Sequence, residues 1–339
     1  MLFCMTMNLI DPIEYAKELE KTIITDGDKR LYRSFRLEPF YGQIATARSV
    51  GCNSRCAFCW VDPARDNPKN QYRSLKPYSP REVYDELAKV SSSKYGQWMM
   101  TEFLRITGCE PTIGLEHLLG VLKIIEETAK PSHGMLLETN GMILGNDEEV
   151  ARAIAEFRER VLVRLSFKAG TPEGLEKRAG VQGKFVDLPF KALQYLEKYE
   201  IPHHVVAATG DARLMPEQER RAFFKRLVME SEEMPISVLA HVGGEVMDLF
   251  GLTRKRLSKA GLLDPDMVEG RRFIYEGILR SVFRVLSAKH GNGREVGQEV
   301  LKGISKETVL QALDEAEFRQ VEVQETGKGE TVKDDNAVL

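Results

Sequence analysis

The sequence predicts an α/β fold in which helices cover a sheet of parallel strands. Six short, mostly apolar runs alternate with amphipathic helical segments across the middle of the 339-residue chain. Such runs are typical of strands buried on both faces, and their alternation with helices indicates parallel strands joined by right-handed crossovers. The architecture is then an open doubly wound sheet or a full or partial β/α barrel. The predicted strands are Gly42–Ala47, Trp98–Ile106, Met135–Glu138, Val161–Phe167, His203–Ala208 and Ile236–His241.

The helices between these runs begin with recognisable capping residues. Ser79 precedes Pro80 and Glu82, which predicts an N-cap, a proline at the first helical position and a capping-box glutamate. Thr171 before Pro172 repeats the N-cap and the proline. In either architecture, the functional residues are expected at the carboxyl ends of the strands.

The segments on either side of this alternating core have a different pattern. Residues 1–38 are predicted to form a lead-in with one helix, which Asp11 and Pro12 begin. Residues 246–323 are predicted to form a helical C-terminal extension, because helical spacing replaces the strand pattern there. Residues 324–339 have few large apolar side chains and are predicted to form an acidic flexible tail.

Composition excludes several classes of protein. The net charge of −3 argues against a broad non-specific nucleic-acid binder. No stretch approaches 18 uninterrupted apolar residues, and the start lacks the features of a signal peptide, so neither a membrane span nor secretion is expected. Basic residues at 254–256 and 271–272, and a loop with Arg65, Lys69 and Arg73, permit nucleic-acid binding without favouring it, because such runs are more often solvated surface.

Three of the five cysteines lie within eight residues, directly after the first predicted strand. Cys52, Cys56 and Cys59 have the spacing C-x3-C-x2-C, which indicates a metal or cluster site rather than a disulfide framework. A zinc site would need a fourth ligand, such as a distant histidine or Cys109. Three thiolates on a [4Fe–4S] cluster would leave one iron open to bind a substrate or cosubstrate.

This spacing, with Phe58 just before the third cysteine and a strand before the first, resembles the radical S-adenosylmethionine (radical SAM) superfamily. The resemblance implies a partial (β/α)6 barrel as the core, over residues 39–245, and a [4Fe–4S] cluster held by Cys52, Cys56 and Cys59. It implies that S-adenosylmethionine binds the open iron, and that its reductive cleavage gives a 5′-deoxyadenosyl radical that abstracts hydrogen from a substrate. No catalytic residue is assigned beyond the cluster ligands.

Later strand ends carry residues similar to the family's cofactor motifs. Gly108 to Pro111 resembles the G-G-E-P segment that contacts the methionine amine, with Cys109 in place of the second glycine. That thiol is either an inert small apolar group or a redox or substrate-attaching thiol. Glu138 to Gly141 resembles the T-N-G of activase-like members, and Ser166 with Lys168 resembles the polar pair for ribose and carboxylate. The implied cofactor contacts are Phe58, Trp60, Gly108, Cys109, Glu110, Pro111, Asn140, Ser166 and Lys168.

Three histidines lie at the ends of predicted strands. His203 and His204 begin the fifth predicted strand, at the end opposite the expected site, and are interpreted as structural or surface residues. His241 ends the sixth predicted strand, so it is either a proton donor or substrate contact or an ordinary hydrogen-bonded histidine.

Two classes of function follow from these patterns. The first is a cytoplasmic radical SAM enzyme that takes electrons from a flavodoxin- or ferredoxin-type reductant and acts in protein or glycyl-radical activation, tRNA modification or cofactor biosynthesis. Enzymes with a second cysteine-bound cluster are disfavoured, because Cys4 and Cys109 are too few to hold one. The second class is a non-catalytic binding protein stabilised by zinc or an iron–sulfur cluster. The ordered series of motifs at successive strand ends argues against this second class.

Overall fold

One large mixed sheet, a small two-stranded sheet and the helices packed on them form the structure. The computed structural model describes residues 9–39, 41, 43–61, 65, 75–92, 103–128, 134–269, 271–290 and 303–324. The strands are β1 (Ile24–Thr25), β2 (Lys29–Glu38), β3 (Ile44–Ser49), β4 (Lys76–Tyr78), β5 (Phe103–Thr107), β6 (Gly134–Thr139), β7 (Val161–Phe167), β8 (His203–Ala207), β9 (Val242–Gly244), β10 (Arg271–Tyr275) and β11 (Gln320–Gln324). The helices are α1 (Pro12–Ile23), α2 (Pro80–Ser91), α3 (Leu115–Glu127), α4 (Met142–Asn146), α5 (Glu148–Ala155), α6 (Pro172–Ala179), α7 (Leu188–Lys198), α8 (Glu217–Glu230), α9 (Pro235–Ala240), α10 (Gly251–Lys259), α11 (Pro265–Val268), α12 (Ile278–His290) and α13 (Lys306–Glu315).

The order of the large sheet is β1-β2-β3-β5-β6-β7-β8-β9, with β4 paired to β2. Neighbours from β3 to β9 are parallel, whereas β2 runs antiparallel to β3. Helices lie between the consecutive parallel strands. These six parallel strands and their helices confirm the predicted α/β fold of the partial (β/α)6 type.

Alternate residues of the parallel strands face two different environments. Ala45, Ala47, Leu104 and Ile106 are buried in the main apolar core beneath the helices. The residues between them face the opposite side, which is the inner face of the partial barrel. The inner face carries charged and hydroxyl side chains, namely Thr46, Arg48, Arg105, Thr107, Glu138, Arg164 and Ser166.

The predicted helix starts are confirmed. The Ser79 hydroxyl accepts from the Glu82 N–H at 3.4 Å, and the Glu82 carboxylate accepts from the Ser79 N–H at 2.8 Å, so both halves of the capping box form. The Thr171 hydroxyl accepts from the Gly174 N–H at 3.1 Å. Asp11 caps α1 in the same way, through the N–H groups of the first turn.

The sixth predicted strand is wrong. Residues 236–241 lie in and directly after α9, and the strand that pairs with β8 follows at Val242–Gly244. Pro235 stands at the first helical position, and the apolar side chains after it are buried by the helix. An apolar run of this length is equally compatible with a short buried helix, and periodicity alone does not separate the two.

Other boundaries differ less. The first parallel strand is Ile44–Ser49, which begins and ends two residues later than predicted. The second, β5, begins at Phe103, and residues 98–102 of its predicted range lie outside the described residues. The lead-in contains β1 and β2 in addition to its helix. The described residues of the C-terminal extension form helices α10 to α13, and β10 with β11 adds an antiparallel pair that the sequence pattern missed. The proposed acidic tail lies outside the described residues from position 325 onward.

Within the described part of the chain, no helix combines the length and the apolar character needed to cross a membrane. The division of the chain into lead-in, core, extension and tail stays a prediction.

Candidate cluster and cofactor site

The three clustered cysteines lie on one loop at the carboxyl end of β3, defined here as the cysteine loop (residues 51–61). Gly51 begins it with a φ of +79°, a backbone conformation that favours glycine. Ser54 Oγ lies 3.4 Å from Cys52 Sγ and 3.6 Å from Cys56 Sγ. All three cysteines are free thiols. The loop therefore gathers sulfur ligands at the edge where a parallel sheet places its functional residues.

Backbone hydrogen bonds attach the cysteine loop to the end of α6. The Arg55 N–H donates to Ala179 O, and the Ala57 N–H donates to Arg178 O, both at 2.7 Å. Arg178 is buried and pairs with Glu219 of α8. The position of the loop thus depends on elements that are distant in the sequence.

Burial keeps the thiols of the cysteine loop protonated in the absence of a metal group. Burial, together with nearby Glu110 and Cys56, raises the pKa of Cys52 to about 12. Burial also raises the pKa of Cys56. A thiol with a raised pKa keeps its proton until a bound metal displaces that proton. Three sulfur donors on one short loop fit a thiophilic group such as an iron–sulfur cluster, not a hard cation that prefers oxygen ligands.

The segment after β5 packs directly against the cysteine loop. Gly108 has a φ of +96°, and the Glu110 N–H donates to Gly51 O at 3.1 Å. Cys109 is buried, and burial, with Cys52 and Cys59 nearby, raises its pKa well above the usual value. The structure therefore brings a fourth thiol next to the loop.

The Glu110 carboxylate is 2% exposed and joins the ends of β5 and β6. Its Oε1 accepts from Thr112 N–H at 3.2 Å, Thr112 Oγ1 at 2.6 Å and Thr139 Oγ1 at 2.7 Å. Its Oε2 accepts from the Asn140 N–H at 2.8 Å. Asn140 Nδ2 donates in turn to Asn53 Oδ1 in the cysteine loop, at 2.7 Å. The two predicted motifs and the loop thus form one hydrogen-bonded unit.

Ser166 and Lys168 share the inner face at the end of β7, as predicted from their spacing. Lys168 Nζ donates to Ser166 Oγ at 2.5 Å, and Ser166 Oγ donates to Glu245 Oε2 at 3.1 Å. Burial opposes the charge of Lys168, but Glu245 and Cys56 raise its pKa overall. The ammonium group is therefore cationic and faces the cysteine loop.

Glu245 is a site residue that the sequence analysis did not single out. It follows β9 and forms an ion pair with Arg164, in which Glu245 Oε1 lies 2.9 Å from Arg164 Nη1. Burial works against its ionisation, but Lys168 and Arg164 lower its pKa. The available signal was a carboxylate directly after the last strand of the core.

A second unpredicted group lies further inside the barrel. Glu138 accepts from Arg105 Nη2 and from the Tyr41 hydroxyl, both at 2.8 Å, and Arg164 Nη1 lies 3.6 Å away. Burial disfavours its charge, but Arg105 and Arg164 lower the pKa of Glu138 to about 2. This group could have been predicted from the sequence, because single charged residues stand at alternate positions of otherwise apolar strands.

Other predicted contacts are distributed around the cysteine loop. Phe58 is partly buried and packs on apolar clusters on both sides of the loop. Trp60 is 41% exposed, lies 5.2 Å from the Arg48 guanidinium and has an edge contact with Phe250. The Pro111 carbonyl accepts from buried Arg30 at 2.7 Å, so Pro111 contributes through its backbone.

The histidines lie away from this site. His203 and His204 begin β8, as predicted. His241 follows α9 and precedes β9, where its side chain is 69% exposed and lies 3.6 Å from Glu233. The placement of His241 at the carboxyl end of the sixth strand is therefore wrong, because that strand begins only after it.

Several residues of the predicted basic runs bind other parts of the chain. Arg65 Nη1 donates to Cys56 O at 2.7 Å, and Arg256 Nη1 donates to Cys59 O at 2.6 Å. Arg272 pairs with Asp248 at 2.8 Å. Lys69 and Arg73 of the predicted basic loop lie outside the described residues.

A model of the Radical SAM superfamily matches residues 47–219. The chain belongs to the radical SAM superfamily. The match covers the cysteine loop and the strands from β5 to β8, which are the parts that carry the site. This membership argues against the alternative of a non-catalytic binding protein, because the superfamily consists of radical SAM enzymes.

Several solved structures are similar to this radical SAM enzyme. It is 19% identical to anSMEcpe with bound AdoMet, covering 52% of this chain and 46% of that chain (TM-score 0.38). It is 14% identical to a spore photoproduct lyase variant, and that match covers 84% of this chain and 77% of the lyase chain (TM-score 0.49). It is also 14% identical to TYW1 with a lysine-pyruvate adduct, and that match covers 78% of this chain and 92% of the TYW1 chain (TM-score 0.40). This first match spans less than half the length of that anSMEcpe chain. No curated protein matches it.

Proposed function

We propose that Cys52, Cys56 and Cys59 hold a [4Fe–4S] cluster and that S-adenosylmethionine binds beside it. When bound, this pair supplies a 5′-deoxyadenosyl radical after one-electron reduction, and the radical removes hydrogen from the substrate. The observation that supports the proposal most directly is the short loop that brings the three thiols together at the carboxyl end of β3. Membership of the superfamily supports it independently.

The residues around the loop then have defined tasks. Glu110 Oε2 accepts one hydrogen bond from the described residues, which leaves a lone-pair direction for the methionine ammonium group. Ser166 and cationic Lys168 lie on the opposite side of the loop and offer a hydroxyl and a positive charge to the methionine carboxylate or the ribose. Trp60 and Phe58 limit access of water to the cofactor through their aromatic rings.

The same proposal includes an electron donor and a cellular compartment. One-electron chemistry at a thiolate-bound cluster needs a reductant of the flavodoxin or ferredoxin type. Free thiols at every cysteine that the structure describes are compatible with a reducing cytoplasm.

Anaerobic reconstitution with iron and sulfide, followed by dithionite and S-adenosylmethionine, tests the proposal. We expect about four iron atoms per chain and formation of 5′-deoxyadenosine, both lost in Cys52→Ala, Cys56→Ala and Cys59→Ala. Cys4→Ala is the matched control, because this cysteine lies outside the motif. A chain that binds a single zinc ion and never forms 5′-deoxyadenosine would contradict the proposal.

A further inference from the structure

Arg48 is a charged residue near the carboxyl end of a buried strand. It is the penultimate residue of β3 and is only 8% exposed. Its neighbours Ala45 and Ala47 pack in the core under the helices, so Arg48 faces the inside of the partial barrel. A Cβ on Gly108 would lie 3.9 Å from Arg48 Cα and Cβ, which places Arg48 beside the segment that carries Glu110.

No carboxylate among the described residues pairs with this guanidinium. Its one described side-chain contact is the ring of Trp60, with the guanidinium carbon 5.2 Å from the ring centroid. Inner-face arginines nearby do have such partners. Arg105 pairs with Glu138 at 2.8 Å and Arg164 pairs with Glu245 at 2.9 Å. Among the described arginines of the inner face, Arg48 is therefore the one whose donors are not engaged by a described acidic side chain.

The surroundings of Arg48 favour an added negative charge. Burial, together with the nearby cations Arg36 and Arg33, lowers the pKa of Arg48, and Glu38 offsets this only in part. Arg36 already holds Glu38 at 2.6 Å. A planar oxyanion matches the donors of a guanidinium in a bidentate geometry, and such charge-assisted pairs are stronger than neutral hydrogen bonds.

We propose that Arg48 binds a carboxylate or phosphate group of the substrate, and that this enzyme therefore acts on an anionic substrate. This inference rests on the proposed function, because it places the anionic group beside the cysteine loop where the radical would form. The exposed rings of Trp60 and Phe250, whose centroids are 6.5 Å apart, would contact the part of the substrate that extends out of the barrel.

The carboxylate of S-adenosylmethionine is the competing occupant. Ser166 and Lys168 are already suited to that group, and Lys168 interacts with the thiols of Cys56 and Cys52 from the β7 side. Arg48 stands on β3 and is separate from that pair. The two possibilities make opposite predictions about competition between S-adenosylmethionine and a small anion.

The experiment measures binding of two small anions to the reconstituted, unreduced enzyme saturated with S-adenosylmethionine. Inorganic phosphate is followed by the line width of its phosphorus NMR signal, and fluoroacetate by its fluorine signal. We expect at least one of these anions to bind, and Arg48→Gln to weaken that binding about tenfold or more, because a charge-assisted bidentate pair is lost. Arg36→Gln is the matched control and should keep the binding, because Arg36 is already paired. Arg48→Lys should give an intermediate loss.

Broadening of phosphate alone assigns a phosphate-bearing substrate, and broadening of fluoroacetate alone assigns a carboxylate. The inference is overturned if neither anion binds the saturated enzyme, if Arg48→Gln binds both as well as the unaltered enzyme does, or if the anions bind only when S-adenosylmethionine is left out. The measurement uses no reductant, so it is independent of radical formation. Failure of the unaltered chain to take up iron and form 5′-deoxyadenosine would count against the proposed function instead.

Discussion

The Glu110 carboxylate accepts a hydrogen bond from the backbone N–H of Asn140 at 2.8 Å. Glu110 follows β5 and Asn140 follows β6, so this bond joins two motifs that the sequence places 30 positions apart. Both residues are buried. The bond gives the site a rigid edge before any cofactor binds.

We expect Glu110→Gln to destabilise the chain by about 1 to 3 kcal/mol, because an amide nitrogen would face N–H and hydroxyl donors that now donate to a carboxylate. Chemical denaturation of the cluster-free protein measures this effect. Glu116→Gln, at an exposed position in the first turn of α3, should change the free energy of unfolding by less than about 0.5 kcal/mol. Equal effects of the two substitutions would contradict the structural role of Glu110.

Glu138 should make stability depend on pH in the acid range. Its pKa is lowered from 4.5 to about 2 in the folded chain, so its stabilising contribution is fully present above pH 4.5 and decreases as the pH falls toward 2. Glu138→Gln should cost about 3 kcal/mol near neutral pH, because it leaves the buried Arg105 without its carboxylate. Urea denaturation of both chains between pH 2 and pH 7 should show this difference shrinking toward low pH. A difference that is constant over this range would contradict the lowered pKa.

Ser54 should affect the reduction potential of the bound cluster. Its hydroxyl lies 3.4 Å from the sulfur atom of Cys52 and 3.6 Å from that of Cys56. Hydrogen bonds to the sulfurs of a cluster stabilise its reduced form, which carries the extra negative charge, and so raise its reduction potential. Ser54→Ala should therefore make the potential more negative, which a redox titration followed by electron paramagnetic resonance measures. Ser258→Ala, at an exposed position of α10, is the control and should leave the potential unchanged. An unchanged potential in Ser54→Ala would show that the hydroxyl does not reach the sulfurs in the loaded enzyme.

Gly145 should not tolerate a methyl group, although it lies in a helix. Helix propensity alone favours alanine by about 1 kcal/mol, but an added Cβ would meet the backbone oxygen of Leu188 at 1.8 Å. We expect Gly145→Ala to destabilise the chain by about 1 to 3 kcal/mol, because the α4–α7 contact must open. Gly251→Ala, where a Cβ meets nothing within 4 Å, should be neutral or stabilising. Thermal unfolding of the two variants distinguishes these outcomes.

The features that were predicted correctly from the sequence depend on residues that lie close together in the chain. The capping box of Ser79 and Glu82 depends on residues three apart, and the cysteine spacing depends on a loop of eight residues, so both are visible without tertiary information. The pairing of Ser166 with Lys168 follows from the alternation of a single strand. Each of these features is determined within a short segment.

The features that escaped prediction depend on contacts between distant segments. Glu245 meets Arg164 and Ser166 only because β9 lies next to β8 at the end of the sheet. The helix at residues 235–240 replaces a predicted strand, because its apolar run is too short to reveal a period. That no described carboxylate pairs with Arg48 is visible only when the strands of the inner face are assembled.

The attachment of the cysteine loop to α6 has a consequence for the order of biosynthesis. Arg55 and Ala57 donate to carbonyl groups of Ala179 and Arg178, which leave the ribosome long after the cysteines do. The thiols are therefore held in their final arrangement only once the fourth parallel strand and its helix have been synthesised and folded. Insertion of the proposed cluster should then be a late maturation event, and a nascent chain that ends before α6 should present the cysteines as ordinary, separate thiols.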